Sequence, residues 1–159
     1  GQFLKRRYKN IKIYFIAHDV RAHFVNENEF FSINSGGGTQ CSSAFKAAYD
    51  HIVAHHSAQY WNNYVFEFSD GDNWGDDNRL CVEYVKKLLP LVTAIGYGEI
   101  DVNGGRSWMG AENLLSTILH NEINRTRFVS LKVSSRDDVF DALRSFFNID
   151  RFGYRAEKK

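Results

Sequence analysis

No apolar run in this 159-residue chain approaches the roughly 20 residues that a membrane-spanning helix requires. The opening GQFLKRRYKN does not read as a secretory signal either. Lys5, Arg6, Arg7 and Lys9 follow Phe3 and Leu4 directly, and no apolar stretch leads to a small-residue cleavage site. Cysteine is scarce: Cys41 and Cys81 show neither metal nor redox spacing and read as reduced core residues on apolar helix faces. The formal net charge of +1 argues against broad attraction to nucleic acid or to a membrane surface, and the basic run at 5–9 reads as a solvated helix end. No internal repeat is visible. These absences predict a cytoplasmic protein with no membrane and no nucleic-acid partner.

What the chain does contain is ordinary globular material, 43% hydrophobic and 25% charged, with 13 Phe and 8 Tyr to build a bulky core. Its length suits one domain, expected over 1–150, with 151–159 as a tail. Residues 11–17 form a dense β-branched and aromatic run, and 21–25 read as its hairpin partner near a sheet edge. From Cys41 the period changes. Cys41, Ala44, Phe45, Ala48 and Ile52 recur at three- and four-residue steps and predict a helix to about His56. A strand at 63–69 leads into DGDNWGDD. A helix follows with Leu80, Cys81, Tyr84, Val85 and Leu88 on its apolar stripe, Asp76 and Asp77 at its N-terminus and Pro90 at its end. A strand at 92–97, a helix carrying Leu114, Leu115, Ile118 and Leu119, and a strand at 128–133 come next. A last helix, capped by Ser134 or Ser135, carries Val139, Phe140, Leu143 and Phe147. Strands alternating with helices predict an α/β fold with a mostly parallel sheet and helices on both faces.

Ligands of open parallel sheets bind beyond the carboxyl ends of the strands. Two loops have that position: Ser35-Gly36-Gly37-Gly38-Thr39 before a helix, and Ser69-Asp70-Gly71-Asp72-Asn73-Trp74 after a strand. The glycines permit tight turns, Thr39 offers a hydroxyl, and Asp70 offers a carboxylate held at a strand end. Hydroxyl, carboxylate and water are the ligands that hard Mg²⁺ prefers. The plainer readings stay open beside this one, with Thr39 as a helix cap and SDGDN as a solvated acidic turn. Trp74 reads equally as a partner anchor or as a cover for the sheet end, and Tyr97 as packing. Glu99 points towards the same rim.

Other constellations are weaker. His51 and His55 lie four apart on one helix, with His18 and His23 as conceivable additions, but no Cys or carboxylate pattern completes a zinc site. Ser42 and Ser43 lack a recognisable base or oxyanion arrangement. SGGGT is not followed by Gly-Lys-Ser/Thr, so it is not a nucleotide-binding Walker loop.

The segments SGGGTQCSSAF, YVFEFSDGDNW, GYGEI and DVFDALRSFF resemble the YhbH and YeaH family of bacterial proteins, the last two lying closer to its sporulation branch. The resemblance implies a three-layer, doubly wound, Rossmann-like domain of the von Willebrand factor A type with a metal-ion-dependent adhesion site. It implies protein partners, among them a serine protein kinase encoded nearby. By position, Thr39 and Asp70 match two ligand positions of that site, and Gly37, Gly38, Asp72, Asn73, Trp74 and Glu99 form the expected partner-binding rim. The main ligand motif of such domains, Asp-x-Ser-x-Ser after the first strand, occurs nowhere in this sequence. The expectation is therefore a chain lacking that strand, with a partial Mg²⁺ site and a slot open to self-association. Interaction domain, metal-dependent phosphoester hydrolase and metal-free scaffold stand as the competing functions. The shortage of carboxylates around Asp70 favours binding over catalysis.

Overall fold

A computed structural model describes residues 10–33, 40–71, 73–100, 115–123, 127–135, 138 and 146. Strand β1 (Phe15–His18) and β2 (Ala22–Val25) form an antiparallel hairpin, followed by the short helix α1 (Glu27–Ser32). Helix α2 (Cys41–His55) leads to β3 (Tyr64–Ser69), then α3 (Gly75–Leu88) and a 3₁₀ turn (Leu89–Leu91). Strand β4 (Ala94–Ile100), helix α4 (Leu115–Glu122) and β5 (Phe128–Val133) complete the order. Strands β3, β4 and β5 pair in parallel in that spatial order. The fold is thus mixed α/β with a three-stranded parallel sheet. Among the described residues no helix is long and apolar enough to cross a membrane.

One face of the sheet is covered by α2, α3 and α4. Cys41, Phe45 and Ile52 from α2, Cys81, Val85 and Leu88 from α3, and Leu115 and Leu119 from α4 close over Ile95, Tyr97 and Phe128. The opposite face buries Phe146 against Val129, Val133, Phe66 and Leu131. Central β4 is buried from Ala94 to Glu99, as a parallel strand covered on both faces must be. Its glycines serve that second face. A Cβ at Gly96 would lie 2.7 Å from the Phe146 ring, and one at Gly98 would lie 2.5 Å from the Phe68 ring, so the GYG spacing lets aromatic rings lie flat on the backbone.

Two expectations need correction. The hairpin does not join the parallel sheet: β1 and β2 pair with each other in a sheet of their own. Contact between β1 and β3 is made through side chains, His18 reaching Glu67, where a ladder would need backbone groups about 4.8 Å apart. Leu80, expected on the core stripe of α3, is among the exposed large hydrophobics, whereas Cys81, Val85 and Leu88 are fully buried. Helix α1 was not expected at all. It starts at a capping box in which the Asn26 side chain accepts from the Glu29 N–H and the Glu29 carboxylate accepts from the Asn26 N–H, both at 2.9 Å. At the expected start of the last helix the Ser135 Oγ accepts from the Asp138 N–H at 3.4 Å, the bond a helix cap makes, while most of that helix lies outside the described residues. The tail 151–159, the basic run 5–9 and the residues Leu114, Val139, Phe140, Leu143 and Phe147 lie outside the described residues.

Candidate functional site

At the carboxyl end of β3 the chain must leave the sheet and enter α3 within a few residues. Ser69 organises this exit. Its hydroxyl accepts the Gly71 N–H at 3.0 Å and shares a hydrogen bond with the buried Tyr97 hydroxyl, also at 3.0 Å. Gly71 takes a left-handed φ of +83°, and a Cβ there would meet Glu99 Oε2 at 2.6 Å, so glycine is required twice over. The Gly71 carbonyl accepts the Leu115 N–H at 3.3 Å, tying the turn to the start of α4.

Asn73 is 2% exposed, and its amide faces inward. It accepts the Cys41 N–H at 3.2 Å and donates to Asn78 Oδ1 at 2.9 Å and to Cys81 Sγ at 3.5 Å. An orphan donor at the first turn of α2 is thereby satisfied by the loop after β3. Asp77 makes a second link. From the first turn of α3 its carboxylate accepts the Ser42 N–H at 2.9 Å and the Ser42 hydroxyl, and takes the weak Cys81 thiol donor at 3.4 Å. One buried carboxylate thus sits at the positive ends of two helices. The Ser42 hydroxyl is committed to this carboxylate and not to an imidazole base.

The expected site residues therefore divide. Asp70 is exposed at the strand end, and Trp74, immediately before α3, is 52% exposed. Asn73 and Glu99, expected on the partner-facing rim, are buried instead; Glu99 lies beneath Gly71, with Oε1 3.7 Å from Lys132 and Oε2 without a hydrogen-bond partner among the described residues. Tyr97 is packing, fully buried in the helix-covered core. Thr39, Gly37, Gly38 and Asp72 lie outside the described residues. The bond from Cys41 to Asn73 nevertheless sets the start of α2 beside the loop that follows β3. His51 packs edge-on against Tyr14 and His56 and lies beside His55, and among the described residues no thiol or carboxylate joins these helix histidines in a group that could hold a metal.

Sequence reading passed over the groups beneath this rim. Glu67, in the middle of β3, points to the helix-covered face with Val65 and Ser69. His18 from β1 and Cys41 from α2 converge on it, the donor atoms of all three lying within 4.8 Å of one another. Burial drives the Glu67 carboxyl well above the usual carboxylate range, the Cys41 thiol pulling slightly the other way and Asp77 adding to the rise. Burial likewise lowers the His18 imidazole, against the pull of Asp19, Asp70 and Asp77. Burial thus disfavours the charged form of both partners, which works against an ion pair at the 3.6 Å approach of His18 to Glu67. The one available signal was the single charged residue inside YVFEFS.

Comparison with known proteins gives the chain a family. Residues 1–150 match the family described as "Protein of unknown function (DUF444)". The chain is 38% identical over 160 residues to a UPF0229 protein of Ruminiclostridium cellulolyticum, covering 99% of this chain and 38% of the relative. It is 39% identical over 146 residues to UPF0229 proteins of Bacillus cereus and Bacillus thuringiensis, covering 92% of this chain and 36% of each relative. The chain thus spans somewhat more than a third of the length of these relatives. By this match over nearly all of its length, the chain belongs to the DUF444/UPF0229 family.

Proposed function

We propose that this chain is the core of a cytoplasmic protein-interaction domain of the von Willebrand factor A type, acting in the sporulation or stress setting that the YhbH-like resemblance implies. It meets its partner through Asp70 and Trp74, with Mg²⁺ as an adaptor at Asp70 and Thr39. The carrying observation is the contrast at the end of β3: Asp70 and Trp74 stand exposed, while the residues around them, Ser69, Gly71 and Asn73, are buried and hydrogen-bonded into the scaffold. A half-exposed Trp on a rigid turn is the kind of side chain that anchors interfaces, since little conformational freedom is lost on binding. Cys41, two positions after Thr39 in the sequence, has its N–H bonded to Asn73 in the loop that carries Asp70, which supports pairing the two loops at one site.

Asp70 fits the oxygen-rich demand of Mg²⁺, and two protein ligands leave most of the coordination to water and to an acidic side chain of the partner. A hydrolase is the less favoured reading, because beyond Asp72 the rim offers only Glu99 as a further carboxylate among those expected there, and Glu99 is buried beneath Gly71. The two separate sheets also favour contacts between copies, since β3 pairs with no strand on its outer side among the described residues.

The test uses a full-length family member carrying these residues. Mn²⁺ titration should give measurable binding that Asp70→Ala abolishes, and co-purification with a serine protein kinase should fall at least about tenfold in Trp74→Ala, as for an interface anchor. Binding of ion and kinase that ignores both substitutions would place the interaction elsewhere.

A further inference from the structure

We infer that His18, Cys41 and Glu67 form a binding site for a borderline divalent transition metal, Zn²⁺ in the first place, which clamps the β1–β2 hairpin to the parallel sheet through helix α2. The three donors come from three elements, β1, α2 and β3, which the fold brings to one buried point. Their chemistry is one imidazole nitrogen, one thiolate sulfur and one carboxylate oxygen. That mixed set suits Zn²⁺ and is wrong for Mg²⁺, which takes oxygens. Tetrahedral ligation at zinc bond lengths separates donor atoms by roughly 3.3–3.8 Å. His18 Nε2 and Glu67 Oε1 are already 3.6 Å apart, and the whole group lies within 4.8 Å, so closure needs side-chain adjustments of about an ångström.

A second observation points independently to a ligand. Strand β3 turns its faces against the hydrophobic pattern: Glu67 is 6% exposed while its neighbour Phe68 is 40% exposed. Apart from the weak thiol of Cys41, neither Glu67 oxygen has a hydrogen-bond partner among the described residues, and the second ring nitrogen of His18, Nδ1, is buried without one. Sinking a carboxyl with no stronger partner and leaving a phenyl ring half outside is unfavourable on both counts. A dication bound by one thiolate and one carboxylate gives a neutral cluster, which removes the burial penalty of both anions and returns the Glu67 placement to a sensible energy. This donor set shares no residue with the proposed Asp70 and Thr39 pair, and its test does not depend on the rim.

The experiment strips the chain of metal with chelator and titrates it with Co²⁺ as a spectroscopic stand-in for Zn²⁺. A single Co²⁺ should bind with visible d–d absorption and a near-ultraviolet thiolate-to-metal charge-transfer band, and Zn²⁺ should displace it. Cys41→Ser should remove the charge-transfer band and weaken binding at least about 100-fold, the upper end of what even outer-shell changes cost. Glu67→Gln should weaken binding comparably while leaving the near-ultraviolet circular dichroism of the metal-free protein unchanged, since it keeps the side-chain volume and replaces the carboxyl by an amide that cannot become an anionic ligand. His51→Gln should change nothing. Absence of the charge-transfer band in folded wild-type protein, its survival in Cys41→Ser, or binding that follows His51 and not Glu67 would overturn the site.

Discussion

Replacing Asp77 with alanine removes the carboxylate shared by the N-termini of α2 and α3. Two hydrogen bonds from Ser42, one from its N–H and one from its hydroxyl, end on this buried side chain. Bonds to a charged acceptor contribute about 1.5–3 kcal/mol each, and a carboxylate at a helix N-terminus adds about 0.3–1 kcal/mol. Relief of the carboxylate's own desolvation offsets part of that sum, so the expected net loss is about 2–4 kcal/mol. Against a usual domain stability of about 5–15 kcal/mol this is a large fraction. Urea unfolding is the assay, and with a slope near 2 kcal/mol/M the midpoint should fall by about 1–2 M. Asp77→Asn keeps one acceptor oxygen and should lose roughly half as much. Ser42→Ala should lose about 1 kcal/mol, and the double variant should show a coupling of up to about 1 kcal/mol, because both single changes break the same hydroxyl bond. Asp76→Ala, exposed in the same turn, should shift the midpoint by no more than the helix-dipole contribution. A loss below about 0.5 kcal/mol for Asp77→Ala, or strict additivity with Ser42→Ala, would refute the shared-cap reasoning.

Gly71→Ala should lower stability by about 2 kcal/mol, from the left-handed backbone and the displacement of Glu99, which in a protein of this size is about 4–8 °C in Tm by calorimetry; an unchanged Tm would contradict the turn geometry. Burial pushes the Cys81 thiol up, with Asp77 adding to the rise, and raises that of Cys41 too, so at mildly alkaline pH neither should react with a thiol-directed disulfide reagent until the protein unfolds. Reaction in chelator-treated native protein at the rate seen in urea would show that these side chains are open to solvent.

Much of the scaffold is legible in the residues. The stripe of Cys41, Ala44, Phe45, Ala48 and Ile52 is buried along α2, and β5 runs over Phe128–Val133 as its β-branched and aromatic content suggests. These readings succeed because local periodicity and burial agree. Helix α1 escaped because its apolar residues Phe30 and Phe31 make no core stripe. Its signal was instead the Asn26 and Glu29 pair, a capping box that stands on local hydrogen bonds alone. The hairpin was legible as a hairpin, but its sheet was not, because strand neighbours depend on backbone groups distant in sequence.

The sequence by itself determined the α/β order, the parallel pairing expected of strands separated by helices, and the placing of SDGDNW at a strand end. Only the tertiary structure decided which polar residues of that region face outward. Asn73 is drawn inside by the Cys41 N–H, 32 positions away, and Glu99 is covered by the left-handed turn at Gly71. Glu67 is the sharpest case. In YVFEFS the alternation puts the phenylalanines on one face and the glutamate on the other, and periodicity sends the glutamate to water. The helix-covered core closes over the Val65–Glu67–Ser69 face instead, and His18 and Cys41 arrive there from separate elements. Composition and spacing carry no term for such a meeting, because it is made by packing three elements around one point.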